Sequence, residues 1–317
     1  MQDAFYHTPV LVDEVLSLLI TRRDGVYLDA TLGGGGHAEA ILSHLSPSGH
    51  VIGFDADEDA IRFAAQRLQP FGERVTYIRS NFRNLQSALV ERRTPRVAGV
   101  LFDLGVSSFQ LDEPSKGFSF RTDDRLDMRM DRSQGIDAHE IVNRYGEREL
   151  AELFWKYGEE RASRRIARAI VRRRDHQRIE TTGDLASLVQ ESVGERFLNK
   201  SLARVFQALR IEVNNELDLL QQGLNQAIEV VHQGGRIVVI AYHSLEDRIV
   251  KETFKRAAAT FLPSGNKLVP DTVLQPTLKI ITKKPLEASG KETRGNPRAR
   301  SAKLRAAEKL PSMASEN

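Results

Sequence analysis

Four consecutive glycines, Gly33 to Gly36, stand between a buried apolar run and a helical pattern, and this junction limits the fold more than any other feature. Residues 26–30 are short, β-branched and apolar, as in a buried strand, and residues 37–45 repeat apolar side chains at helical spacing. Glycines at such a junction let the backbone turn sharply and approach a ligand closely, beside the positive end of a helix. The rhythm continues with strands over residues 50–55, 74–79 and 98–104 and helices over 57–68 and 85–91. Buried strands separated by helices imply right-handed crossovers on a parallel sheet, an α/β Rossmann-like doubly wound fold.

The alternation stops near residue 112. Up to about residue 204 the chain is polar, charged and helical, with apolar periodicity over 147–171 that sets Arg161, Arg164, Arg165, Arg168 and Arg172 on the opposite face. A helix over about 205–231, a break at Gly234-Gly235, a strand over 236–241, a helix over about 245–261 and a late strand over 278–283 resume the pattern. The expected organisation is therefore a core of residues 1–111 and 205–288, an inserted helical domain of residues 112–204, and a basic, flexible tail of residues 289–317.

At 40% hydrophobic and 28% charged, the chain reads as a soluble globular protein, and no window reaches the roughly 18 apolar residues of a membrane helix. The absence of cysteine excludes a disulfide framework, a thiol nucleophile and a thiolate metal site, which fits a cytoplasmic location. The N-terminus has acids where a signal peptide carries bases. A net charge of +3 names no partner, but arginines crowd residues 161–178 and a second basic cluster lies in residues 283–305. Such runs are solvated faces as often as nucleic-acid surfaces; two on one chain favour the latter.

About 20 residues beyond the glycines the second strand ends at Asp55, where an acid accepts hydrogen bonds from ribose hydroxyls. Loop and acid together predict a nucleoside-bearing cofactor. Gly33, Gly35 and Ala38 also satisfy the dinucleotide fingerprint, so an NAD-dependent oxidoreductase competes. A P-loop is disfavoured because no Gly-Lys-Ser/Thr follows. The acids Asp29, Asp55, Asp57 and Asp103 suit the sulfonium of S-adenosylmethionine better than a pyrophosphate. At the fourth strand's end, Asp103 runs into a small polar loop holding Ser107, Ser108 and Gln110. His243, after the fifth strand, is a candidate catalytic group or a structural histidine, and His7-Thr8 a candidate lid or a turn. No histidines show metal-ligand spacing, so no metal is expected.

Seven stretches in order resemble one family closely: residues 6–14, 29–37, 103–108, 117–120, 126–131, 242–248 and 296–300. The chain is similar to the bacterial ribosomal RNA small-subunit methyltransferase H family, cytosine-N4 specific and also called MraW. The resemblance implies a class I methyltransferase fold with an inserted helical domain. It also implies S-adenosylmethionine as cofactor and methylation of N4 of a cytidine in the decoding region of 16S rRNA within the small ribosomal subunit. Carried over by motif, Gly35, Gly36 and His37 contact the cofactor, Asp55 holds its ribose, Phe82 lies beside the adenine, and Asp103 and Gln110 complete the set. The loop reads Leu32-Gly33-Gly34 where some members carry Phe-Gly-Arg.

For an exocyclic amine as acceptor, the fourth-strand loop has a physical use. The cytosine amino lone pair is delocalised into the ring, so an acceptor such as Asp103 or Ser107 orients the amine and helps it pyramidalise. In-line positioning then supplies much of the rate. The remaining alternatives are a DNA or free-base methyltransferase, the oxidoreductase, and a non-catalytic RNA-binding factor.

Overall fold

In the computed structural model, which describes residues 9–105, 116–132, 135–266 and 269–311, the strand–helix alternation becomes a sheet flanked on both faces. After α1 (Val12–Leu19) come β1 (Val26–Asp29), α2 (Gly36–His44), β2 (His50–Asp55), α3 (Glu58–Arg67), β3 (Val75–Arg79), α4 (Leu85–Glu91) and β4 (Val97–Asp103). Among the described residues the helices that follow are α5 (Ala138–Arg144), α6 (Glu147–Gly158), α7 (Ser163–Arg174), α8 (Thr182–Val193) and α9 (Leu198–Asn214). The chain returns through α10 (Glu216–Val230), β5 (Val231–Ala241) and α11 (Ser244–Ala257). A small ribbon, β6 (Phe261–Leu262) with β7 (Thr272–Val273), precedes β8 (Leu278–Ile280), β9 (Leu286–Glu287), α12 (Gly290–Gly295) and β10 (Lys303–Lys309).

The main sheet runs β3-β2-β1-β4-β5-β10-β8, with β9 beside β10. Strands β1 to β5 pair in parallel, and β10 pairs antiparallel to both β5 and β8. Alternate residues of each strand feed two cores. Leu28, Ile52, Phe54, Val100 and Phe102 pack on one face. Tyr27, Val51, Leu101, Val238 and Ile240 pack on the other. Because β1 leads to β2 on one side while β4 adjoins it on the other, the carboxyl ends of β1 and β4 border the point where strand order reverses. Ligands of doubly wound sheets lie there.

The chain divides into two compact units, residues 1–105 with 218–317, and residues 106–217. The second is helical and has its own core, including Leu150, Leu153, Phe154, Ile166, Ile170, Val205 and Leu209.

Several expectations need correction. Within the stretch expected to be a flexible tail, residues 303–309 form β10, an interior strand of the sheet, with Leu304 opposite Ile240 and Leu304, Ala306 and Ala307 fully buried. The tail's charge disguised it, but Arg305 is buried with its guanidinium forked onto Asp247 of α11, at 2.6 and 3.1 Å. The single helix expected over 205–231 is two, α9 and α10, because Asn215 takes a left-handed conformation. Glu159 does the same between α6 and α7. Gly234-Gly235 is not a break before the strand but an irregularity within β5, with Gly234 at φ +77°.

Candidate active site

The glycine loop is folded by its own backbone onto the ends of neighbouring strands. Leu32 N–H donates to Phe54 O, Gly35 N–H to Leu32 O and Ala30 N–H to Leu101 O, each at 2.8 Å. Gly33 (φ +48°) and Gly35 (φ +77°) occupy left-handed conformations that favour glycine. Gly35 is also the N-cap of α2, which no side chain caps, and a Cβ there would stand only 3.2 Å from Leu68. Gly36 lies against the ring of Pro9.

Asp55 ends β2 and fastens this loop. One carboxylate oxygen accepts from Gly33 N–H and the other from Asp57 N–H, at 2.8 and 2.9 Å. Asp103 ends β4 on the same edge, and its N–H donates to Thr31 Oγ1 at 2.6 Å. Its side chain is held from two directions. Tyr242, directly after β5, donates its phenol to Oδ1 at 2.8 Å, and His37 Nε2 of α2 lies 3.4 Å from Oδ2. That separation is an ion-pair contact, and neither ring nitrogen of His37, both buried, makes a hydrogen bond among the described residues.

The electrostatics follow from crowding acids in a dry place. Burial pushes Asp29 up to about 7, with Asp103 and Asp55 adding repulsion and His37 opposing it. Burial alone would lower His37, but Asp103, then Asp29 and Glu292, outweigh it and hold the imidazole above its ordinary value. Burial and the Asp103 carboxylate keep the Tyr242 phenol well above its usual range, hence neutral. Glu292 of α12 also accepts from Leu11 N–H at 2.7 Å, tying the start of α1 to the late chain.

Of the residues expected at the site, Gly35, Gly36, His37, Asp55 and Asp103 share this edge. Phe82 is held by other contacts: its ring stands edge-on to Phe102 at 5.7 Å and fills the space a Cβ on Gly223 would need. His243 caps α11, with Nδ1 accepting from Glu246 N–H at 3.4 Å and Nε2 lying 3.1 Å from Glu246 Oε1. That gives it a structural task. Ser107, Gln110 and His7-Thr8 lie outside the described residues. Sequence reasoning assigned no role to Thr31, Tyr242 or Glu292. For Tyr242, its place at the carboxyl end of β5 was the available signal. Glu292 offered none, being far along the chain in a stretch read as a tail.

A doubly wound sheet with one reversed strand beside β5, and a glycine loop ringed by Asp29, Asp55 and Asp103, defines the class: a Rossmann-like S-adenosylmethionine-dependent methyltransferase of class I. A carboxylate-rich edge, whose acids repel one another in a buried place, fits a cationic, polar cofactor better than a pyrophosphate. The chain belongs to the MraW methylase family, whose model matches residues 4–310. A Carboxydothermus hydrogenoformans protein named ribosomal RNA small subunit methyltransferase H is 50% identical over 308 residues, 96% of this chain and 98% of its own. Likeness to solved structures is looser. An rRNA methylase from Streptococcus thermophilus shares 14% identity at TM-score 0.42, covering 95% of this chain and 94% of its own. TrmN from Thermus thermophilus shares 14% at TM-score 0.44, covering 95% and 48%. The family makes this chain a methyltransferase and sets aside the oxidoreductase.

Proposed function

We propose that the chain methylates N4 of a cytidine in the decoding region of 16S rRNA, acting in the cytoplasm on the small ribosomal subunit. The reading is carried by the 50% identity, over nearly the whole of both chains, to a relative whose name specifies the small-subunit rRNA. The site chemistry agrees with it. S-adenosylmethionine supplies an electrophilic methyl on a sulfonium. Around it, Gly35, Gly36 and His37 line the methionine side, Asp55 accepts from the ribose and Phe82 flanks the adenine. Gln110 joins this set by motif alone.

Asp103 serves at the junction of cofactor and base. Its carboxylate is fixed by Tyr242 and His37 before any substrate arrives, so an amine presented at the end of β4 meets a preset acceptor. Accepting an amino hydrogen turns the cytosine nitrogen toward the methyl carbon, with Ser107 a second candidate acceptor by motif. The base must be unstacked to reach this edge. After transfer the methylated nitrogen is acidic and loses its proton to Asp103 or water.

The test is incubation of small subunits lacking the modification with methyl-labelled S-adenosylmethionine, then digestion and nucleoside analysis. Label in N4-methylcytidine is expected; label in another nucleoside, or in neither subunits nor naked 16S rRNA, overturns the reading.

A further inference from the structure

Helix α7 carries a charge pattern that its own stability disfavours. At 3.6 residues per turn, Arg164, Arg165, Arg168 and Arg172 fall within an arc of about 100°. All four are exposed, as is Arg161 just before the helix. The opposite side, with Ile166, Ala167 and Ile170, is buried in the helical unit's core. Of the five arginines only Arg168 meets an acid, Glu147 at 3.4 Å; among the described residues the other four have no ion pair or hydrogen bond.

Local structure does not ask for this arrangement. Cations near a helix N-terminus oppose the macrodipole, yet Arg164 and Arg165 sit in the first turn, which holds no acid and no side-chain cap. Arg164, Arg168 and Arg172 also repeat at four-residue spacing, where like charges repel. The last turn differs. Arg172, Arg173 and Arg174 complement the dipole there, and Arg174 donates to Val142 O at 2.7 Å, so Arg173 and Arg174 need no partner to explain them. The first turn is left with Arg164 and Arg165 exposed, against the dipole and without an acid among the described residues, an arrangement that an external anion would relieve.

We infer that the exposed face of α7, through Arg161, Arg164, Arg165, Arg168 and Arg172, is a phosphate-tracking surface that grips the RNA backbone of the substrate. The inference rests on the RNA reading above. Guanidinium forks suit phosphate oxygens, and the helical strip spans about 12 Å, long enough to follow a run of phosphates. The surface fixes position, not sequence, since phosphate contacts carry no base information.

The test replaces Arg164, Arg165, Arg168 and Arg172 together with Gln in the full chain, with Arg165→Gln alone as a milder variant. Binding of 16S rRNA is measured against salt, together with S-adenosylmethionine affinity and thermal stability. Losing four phosphate contacts should make the log–log salt slope shallower by about 3, so wild type loses roughly 60-fold more affinity than the variant between 50 and 200 mM salt. The Tm should be unchanged or raised and cofactor affinity unchanged, whereas a merely structural role predicts a lowered Tm. Wild-type RNA affinity and salt slope in the quadruple variant overturn the inference. So does equal weakening of S-adenosylmethionine binding, which would mark a general structural defect. If wild-type protein itself neither binds nor methylates rRNA, the functional reading fails instead.

Discussion

In the proposed reaction the chemistry turns on Asp103, and its neighbours show how a carboxylate is positioned. Its carboxylate accepts a hydrogen bond from Tyr242 at one oxygen and has the His37 ring within ion-pair distance of the other. Tyr242→Phe keeps the ring but deletes the phenol donor, at a cost of about 1–3 kcal/mol for the oxygen left without it. We expect kcat/KM for methyl transfer to fall about tenfold, with the folded structure retained; wild-type kinetics would show that Asp103 needs no such support. Asp29 makes a second prediction. Its native value of about 7 lies above the ordinary 3.8, so the native state holds a proton that the unfolded chain releases. Stability therefore falls as pH rises from about 4 to about 7, then levels off. His37, raised in the native state, acts in the same direction, its contribution being lost as pH rises through its native value. Asp29→Asn should match wild type near pH 4 and exceed it above pH 7 in urea denaturation; a constant difference across that range contradicts the assignment. Asp55 and Asp103 were legible in the sequence because each closes a buried strand. Tyr242 stands in the matching stretch 242–248, but its role is not legible there because its partner lies 139 residues away.

The elements that sequence patterning found are those whose residues bury themselves locally. β1 to β4 and α2 to α4 combine apolar runs, glycine junctions and helical spacing, and they stand within a residue or two of where those patterns put them. β10 was missed for the opposite reason. Its residues, Lys303 to Lys309, are charged or small apart from Leu304, and pairing with β5, β8 and β9 together with the Arg305–Asp247 fork makes them a strand. Breaks at Glu159 and Asn215 were hidden too, since a left-handed non-glycine residue leaves apolar periodicity unmarked. The importance of β10 is directly checkable. A chain ending at Ser301 exposes the edge of β5, removes the buried Leu304, Ala306 and Ala307 and leaves Asp247 without its guanidinium. It should lack a cooperative thermal transition by circular dichroism; a native-like transition would mean that β10 is dispensable.

At the scale of the molecule, the described site residues all belong to the unit of residues 1–105 and 218–317, while residues 106–217 pack a core of their own. Stability and cofactor binding are therefore separable. Ile166→Ala opens a cavity in the helical core and should cost about 2–5 kcal/mol, read as a lower Tm. S-adenosylmethionine affinity, measured by calorimetry below that Tm, should stay at the wild-type value; a parallel loss would mean the two units are energetically one.

The central claim is that the carboxyl ends of β1, β2 and β4 form the cofactor site. Amide hydrogen exchange with and without S-adenosylmethionine tests it in one measurement. Protection should concentrate in residues 31–37, 55–58, 80–84 and 103–105. Protection confined to other segments, with these unchanged on saturation, would place the cofactor elsewhere and contradict the account.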